Sequence, residues 1–225
     1  TAQVAGTNAA GGRATLAPTL DTAIVRAGAL HLARTGLTDL SQHARAARVQ
    51  VSGHSCDPFF RGSAPLDIAL FYDRDSERVL GAEVVGHAGV DKRIDVLATA
   101  IVGKLDLGQL AQLDLAYSPP YSTTRDLVNV AGLVGHQARD VRAWTPDELR
   151  ARPGTTLVLD LRAPAQRDAW PLAGAEAMDL AELRANRDRL RRARHLVFVS
   201  EHGREGYLAA RVAGHLGCRD AGYLS

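Results

Sequence analysis

Near Thr145-Pro146-Asp147-Glu148 the rhythm of this 225-residue chain changes, and that change limits the fold more than any single motif. Before it, apolar residues alternate in paired segments: PLDIALFYD and RVLGAEVVGH flank the polar turn Asp73-Arg74-Asp75-Ser76, the pattern of a β-hairpin. After it, strands and helices take turns: TLVLDL, helical segments through Leu190, HLVFV, a helix from Glu205 to Leu216, and a last strand around Asp220 to Leu224. A sheet covered by helices on one side is an α+β layer, whereas alternating strands and helices imply a small parallel α/β sheet. Two domains of different class are expected, residues 1–140 and 141–225, with the junction near Asp140 to Trp144. A helix then starts on three agreeing signals: Thr145 as N-cap, Pro146 at the first helical position, and Glu148 placed to close a capping box.

In the first part, TAIVRAGALHLARTG (Thr22 to Gly36) and VQVSGHS read as extended, and LTDLSQHARAA as a short helix with Thr38 as its N-cap. Val90, Ile94, Leu97 and Ile101 share one face at helical spacing, with Asp91, Lys92, Arg93 and Asp95 turned elsewhere. YSPPYSTTRD (Tyr117 to Asp126) contains consecutive prolines, which exclude both helix and central strand, and a further helix runs from Asp126 to Arg139. Val4 to Ala10 reads as the end of a helix already in progress. With Thr rather than Met at position 1, the chain is expected to be a piece of a longer protein.

Composition narrows the partners. With 46% apolar residues, 23% charged residues and a net charge of +2, no long-range field marks a nucleic-acid or membrane partner. The one dense basic run, RANRDRLRRAR (Arg184 to Arg194), reads as a solvated helix face. No stretch reaches the roughly 18 apolar residues of a membrane span and no signal pattern opens the chain, so a cytoplasmic location is expected. Cys56 and Cys218 lie far apart without CxxC spacing, which argues against a disulfide scaffold or a cysteine-rich zinc site; no metal is expected.

The segment Val79 to Gly132, with LARTGL upstream and the strings VDKRIDVLATAI and LAYSPPYS within it, resembles the C-terminal interface domain of the pyridine nucleotide-disulfide oxidoreductases, most closely the coenzyme A-disulfide reductase branch. The resemblance implies an α+β dimerisation domain, a homodimer, and a proline loop Tyr117-Ser118-Pro119-Pro120-Tyr121 near the flavin of the facing subunit. Consecutive prolines suit that role, because a stiff loop has little entropy to lose. The plainer alternative is that Tyr117 and Tyr121 are ordinary half-buried aromatics on a rigid loop. Cys56-Asp57-Pro58-Phe59-Phe60-Arg61-Gly62 stands where relatives carry a paired-tyrosine loop that helps hold a thiol substrate. Phe59, Phe60 and Arg61 are therefore candidate substrate contacts, but without phenolic hydroxyls. Lys92 and Arg93 are candidates for the phosphates of a coenzyme A-type thiol, with intersubunit salt bridging to acids such as Asp91 and Asp95 as the alternative. Cys56 reads as a structural or surface thiol.

No GxGxxG follows a strand, so the chain lacks a dinucleotide fingerprint, and the family's redox-active cysteine also lies outside it. The resemblance implies N-terminal domains binding FAD and NAD(P)H, in a parent enzyme that passes electrons from reduced nicotinamide through FAD to a disulfide, persulfide or oxygen. The segment alone is expected to be inactive and to hold neither cofactor.

The second part resembles a rhodanese-like domain through LVLDLRAP, with Asp160 and Arg162 in the family's Asp-x-Arg position, DLAELR, and GYLAARVAGHLGCRDAGYLS. In VSEHGREGYLAAR (Val199 to Arg211) a strand runs through a glycine loop into a helix, the layout of a sulfur cradle whose helix N-terminus would stabilise a thiolate. The thiolate position is Ser200. A serine oxygen is too basic to ionise at neutral pH and holds no transferable sulfur, while Glu201 and Glu205 add negative charge. His202 is a conceivable base for Ser200, and Pro171-Leu172-Ala173-Gly174-Ala175 replaces the family's usual turn. Cys218, beyond the helix, reads as a buried inert thiol. The domain is expected to be degenerate and without sulfurtransferase activity. Its rival roles are a binding module for coenzyme A-type thiols or a sulfur-carrier protein, or a sulfurtransferase using Cys56 or Cys218.

Overall fold

A computed structural model of the chain describes residues 2–138, 141–152, 154–201 and 203–224. Its first part comprises α1 (Ala2–Ala9), β1 (Ala23–Ala27), β2 (Leu30–Gly36), β3 (Ala46–His54), β4 (Pro65–Asp73), β5 (Val79–Gly86), α2 (Val90–Val102), α3 (Leu107–Ala111) and α4 (Leu127–Gln137). The five strands form one antiparallel sheet in the order β1-β2-β5-β4-β3. Leu66, Ile68 and Leu70 alternate along β4, and these buried side chains share a core with Val90, Ile94 and Leu97 of α2 and Val128 and Ala131 of α4. Fully burying one such leucine contributes about 1.5–3 kcal/mol. The β4–β5 hairpin closes where expected, because Asp73 accepts the amides of Asp75 (3.1 Å) and Ser76 (2.8 Å).

One expected element is different. The segment after Leu37 forms a three-residue 3-10 turn, Leu40–Gln42, capped by Asp39 rather than Thr38, with Asp39 accepting the Ser41 amide at 2.9 Å. The nine-residue pairing of β3 with β4, from Ala46↔Asp73 to His54↔Pro65, claims the chain before a longer helix can form. Sequence periodicity also passed over α3, which Asp106 and Gln109 close with a capping box.

The second part comprises β6 (Arg142–Trp144), α5 (Pro146–Arg150), β7 (Thr156–Asp160), α6 (Pro164–Ala169), β8 (Ala175–Ala177), α7 (Arg187–Leu190), β9 (His195–Val199), α8 (Arg204–His215) and β10 (Ala221–Leu224). Its strands form a parallel sheet in the order β6-β10-β9-β7-β8. Asp140, at the expected junction, lies outside the described residues; β6 just beyond it belongs to the parallel sheet. The capping box at α5 is as read: Thr145 Oγ1 accepts the Glu148 amide at 3.2 Å and Glu148 Oε2 accepts the Thr145 amide at 2.9 Å. In the basic run only Leu190 of α7 is buried, while Arg187 donates to the Leu216 carbonyl and Arg189 pairs with Glu176. Among the described residues no helix is long and apolar enough to cross a membrane.

Candidate functional site

The two loops singled out in the first part converge on one ion pair. α2 begins at Gly89, whose φ of +70° suits glycine, and a Cβ there would stand 2.2 Å from Arg93 Nη1. One turn in, Arg93 is 1% exposed. Its guanidinium donates to Asp126 Oδ2 at 2.8 Å and Oδ1 at 3.3 Å, to the Ser55 carbonyl at 2.9 Å and to the Gly89 carbonyl at 3.3 Å. Asp126 also accepts Ser122 Oγ at 2.7 Å and, as N-cap of α4, the Val128 amide at 3.0 Å. Burial on its own raises the Asp126 pKa. The hydrogen bonds from Ser122 and Val128, together with Arg93, outweigh it and hold the carboxyl below its ordinary value. A buried ion pair is tolerable only when its remaining hydrogen-bonding capacity is filled this way.

Ser55 leads into the Cys56–Gly62 loop and Ser122 ends the proline loop, so Arg93 and Asp126 pin the bases of both. This corrects the expected place of Arg93. It is inside the fold, and within this chain its guanidinium is held by Asp126 and by the Ser55 and Gly89 carbonyls. Lys92 is the outward cation: its Nζ is 3.9 Å from Asp126 Oδ2 and 3.4 Å from the Ala116 carbonyl, and its side chain is half-buried.

Above the ion pair the loops touch directly. The Asp57 amide donates to the Pro119 carbonyl at 3.2 Å, and the Tyr117 hydroxyl donates to Asp57 Oδ2 at 2.9 Å. Ser118 closes the proline turn by accepting the Tyr121 amide at 2.8 Å. Phe59 and Phe60 lie with ring centroids 5.8 Å apart, and Phe59 and Tyr121 are 77% and 72% exposed. Pro120 and Arg61 are exposed beside them, while Cys56 is buried. A cavity of about 280 Å³ opens on the proline loop, lined by Asp114, Tyr117, Ser122, Thr124, Arg125 and Asn129 among others. The structure thus brings Phe59, Phe60, Arg61, Lys92 and the proline loop to one region. Asp57, Ser122 and Asp126 join these as site residues that the sequence does not mark as such. The helix-start signal at Asp126 was visible, but its pairing with Arg93 was not.

The second candidate is the cradle between β9 and α8. Gly203 caps α8 with φ +75°, and its missing Cβ faces the Tyr223 ring at 3.6 Å. Ser200 Oγ accepts the Gly206 amide at 3.0 Å, so a donor at the start of the helix is already taken by the serine. Glu205 is exposed in the first turn, where a carboxylate favours the helix dipole and opposes a second anion. His202, the conceivable base, lies outside the described residues. Beneath the loop, Asp160 at the end of β7 is buried and takes Arg162 through Nε (2.9 Å) and Nη2 (2.7 Å). Burial raises the Asp160 pKa, but the Arg162 contacts prevail and lower it. Tyr223, edge-on to Tyr207, has its pKa pushed up to about 12 by burial, with Tyr72 and Tyr207 adding to the shift. Cys218 lies past the far end of the twelve-residue α8, a helix about 18 Å long by its rise per residue. Its thiol is buried and its pKa raised by that burial.

No family model matches the chain. The coenzyme A disulfide reductase of Staphylococcus aureus (strain bovine RF122 / ET3-1) is 39% identical over 84 residues, which is 37% of this chain and 19% of that protein. Among solved structures, reduced Bacillus anthracis CoADR-RHD superimposes with a TM-score of 0.84 at 29% identity, covering 92% of this chain and 38% of that one. The NAD-dependent persulfide reductase from A. fulgidus gives 0.83 at 28% identity, covering 99% of this chain and 42% of that one. The chain therefore spans less than half of each of these relatives. Its antiparallel domain is followed by a parallel, rhodanese-like one, and the chain resembles the C-terminal region of coenzyme A-disulfide and persulfide reductases with a rhodanese-like domain.

Proposed function

We propose that this chain is the C-terminal segment of a FAD-dependent, NAD(P)H-using disulfide or persulfide oxidoreductase, and that its first domain supplies the homodimer interface and one wall of the flavin and substrate site. The observation that carries this reading is the convergence of the exposed Phe59–Phe60 pair, the Tyr117–Tyr121 loop and Lys92 over the buried Arg93–Asp126 pair. A stiff, aromatic, cation-bordered surface on a preorganised base suits a flat ring system or the phosphate-bearing arm of a thiol. With no glycine fingerprint of its own, the chain relies on preceding domains to hold the flavin, which when bound would relay electrons from nicotinamide to sulfur. Here the proline loop orients and excludes water, and Lys92 offers positive charge.

The test uses a full-length protein carrying this segment. We expect a dimer by light scattering, bound FAD, and NAD(P)H-dependent reduction of coenzyme A disulfide that falls at least ten-fold when Tyr117 to Tyr121 is replaced by a glycine-serine loop of equal length, in line with the cost of misplacing a substrate-facing group. A monomer whose turnover survives the replacement would defeat the proposal.

The second domain favours a docking role. Its strand, Gly203 turn and helix keep a cradle's form while Ser200 occupies the thiol position, a combination that retains a binding shape without the transfer chemistry. Calorimetry with coenzyme A is the check. Heat from this segment supports docking; heat from the full-length dimer alone assigns the second domain a purely architectural role.

A further inference from the structure

Asp57 and Tyr117 are 60 positions apart and meet where the two loops of the candidate site cross. The Tyr117 hydroxyl donates to Asp57 Oδ2 at 2.9 Å, and the Asp57 amide donates to the Pro119 carbonyl at 3.2 Å. One residue thus grips the proline loop by both side chain and backbone. Its carbonyl accepts the Phe60 amide at 2.9 Å, so the turn bearing both phenylalanines hangs from the same residue. Thr124 Oγ1 donates to the Tyr117 hydroxyl at 3.4 Å on the same exposed face. A carboxylate is the stronger kind of acceptor for a phenol. The Tyr117 proton is committed to it, which leaves Tyr121 as the outward-facing phenol of the loop pair.

We propose that Asp57 is a positioning residue that latches the phenylalanine loop to the proline loop, so that Phe59, Phe60 and Tyr121 meet a thiol or disulfide ligand as one pre-set aromatic surface. The identity of the ligand rests on the function proposed above, while the latch rests on the geometry alone. Without it, ligand binding would have to order two exposed loops as well as capture the ligand, and the lost entropy would appear in KM rather than in kcat.

Hydrogen exchange on this chain tests the latch. Asp57→Ala and Tyr117→Phe should each speed amide exchange about five-fold in both loops, residues 56–62 and 117–122, with the double substitution adding little, as expected for partners in one contact. Asp57→Asn retains an acceptor oxygen and should return exchange to within about two-fold of the parent chain. Unchanged loops in Asp57→Ala, additive effects, or no rescue by Asp57→Asn would overturn the latch. In the full-length protein, Asp57→Ala should raise KM for coenzyme A disulfide about five-fold with kcat within about two-fold. Faster exchange with an unmoved KM would overturn the positioning role. A parent protein that reduces no disulfide would defeat the proposed function, and the exchange cycle would then decide the latch by itself.

Discussion

Ser200 Oγ accepts the Gly206 amide at 3.0 Å, so the first turn of α8 is hydrogen-bonded to a neutral hydroxyl. Ser200→Cys alone is expected to leave thiosulfate-to-cyanide transfer within about two-fold of buffer background, because Glu205 still opposes a thiolate and any persulfide on it. Adding Glu205→Arg should increase the rate. Strong activity in the single variant would show that the neighbouring carboxylate is of little consequence.

Removing one partner of the buried Arg93–Asp126 pair leaves the other charge uncompensated. Arg93→Met is expected to lower stability by about 3–5 kcal/mol in urea unfolding, with Asp126→Asn costing less because Ser122 and Val128 retain partners.

The same carboxylate sets part of the acid limb. The folded-state pKa of Asp126 is below its ordinary value of 3.8, so its contribution is present above that pH and is lost as pH falls through the folded value. Asp126→Asn should therefore flatten the loss of stability below about pH 4. Parallel acid limbs in both proteins would contradict the assignment.

Tyr223 works at the other end of the scale. Its phenol is pushed up to about 12, against 10.0 for a free tyrosine, so the unfolded chain releases this proton first. From this group stability should fall by roughly 2 kcal/mol between pH 10 and 12, and Tyr223→Phe should remove that share of the slope. Thermal unfolding across this range gives the answer directly.

Gly89 combines a left-handed φ of +70° with a Cβ position 2.2 Å from Arg93 Nη1. Gly89→Ala is expected to cost at least about 1–3 kcal/mol, from backbone strain and displacement of the guanidinium. A melting temperature unchanged from the parent would show that the arginine moves aside freely.

Local pattern carried most of the architecture. The β4–β5 hairpin, the apolar stripe of α2, the Thr145 capping box and the strand–helix alternation after it are all written within spans of ten to twenty residues, where periodicity and capping chemistry act directly. The helix expected after Thr38 failed because a nine-residue strand pairing overrode local preference.

Two sheets of opposite kind, a proline loop that forms neither helix nor strand, and the strand–glycine–helix order around Ser200 are legible in the residue pattern alone. Which charged and polar groups meet is fixed only in the folded chain. Arg93 finds Asp126 across 33 positions, and Asp57 finds Tyr117 across 60. Nothing local encodes either separation: the sheet and its covering helices bring loop ends together, and at Arg93 and Asp126 burial then requires the trapped charges to satisfy one another.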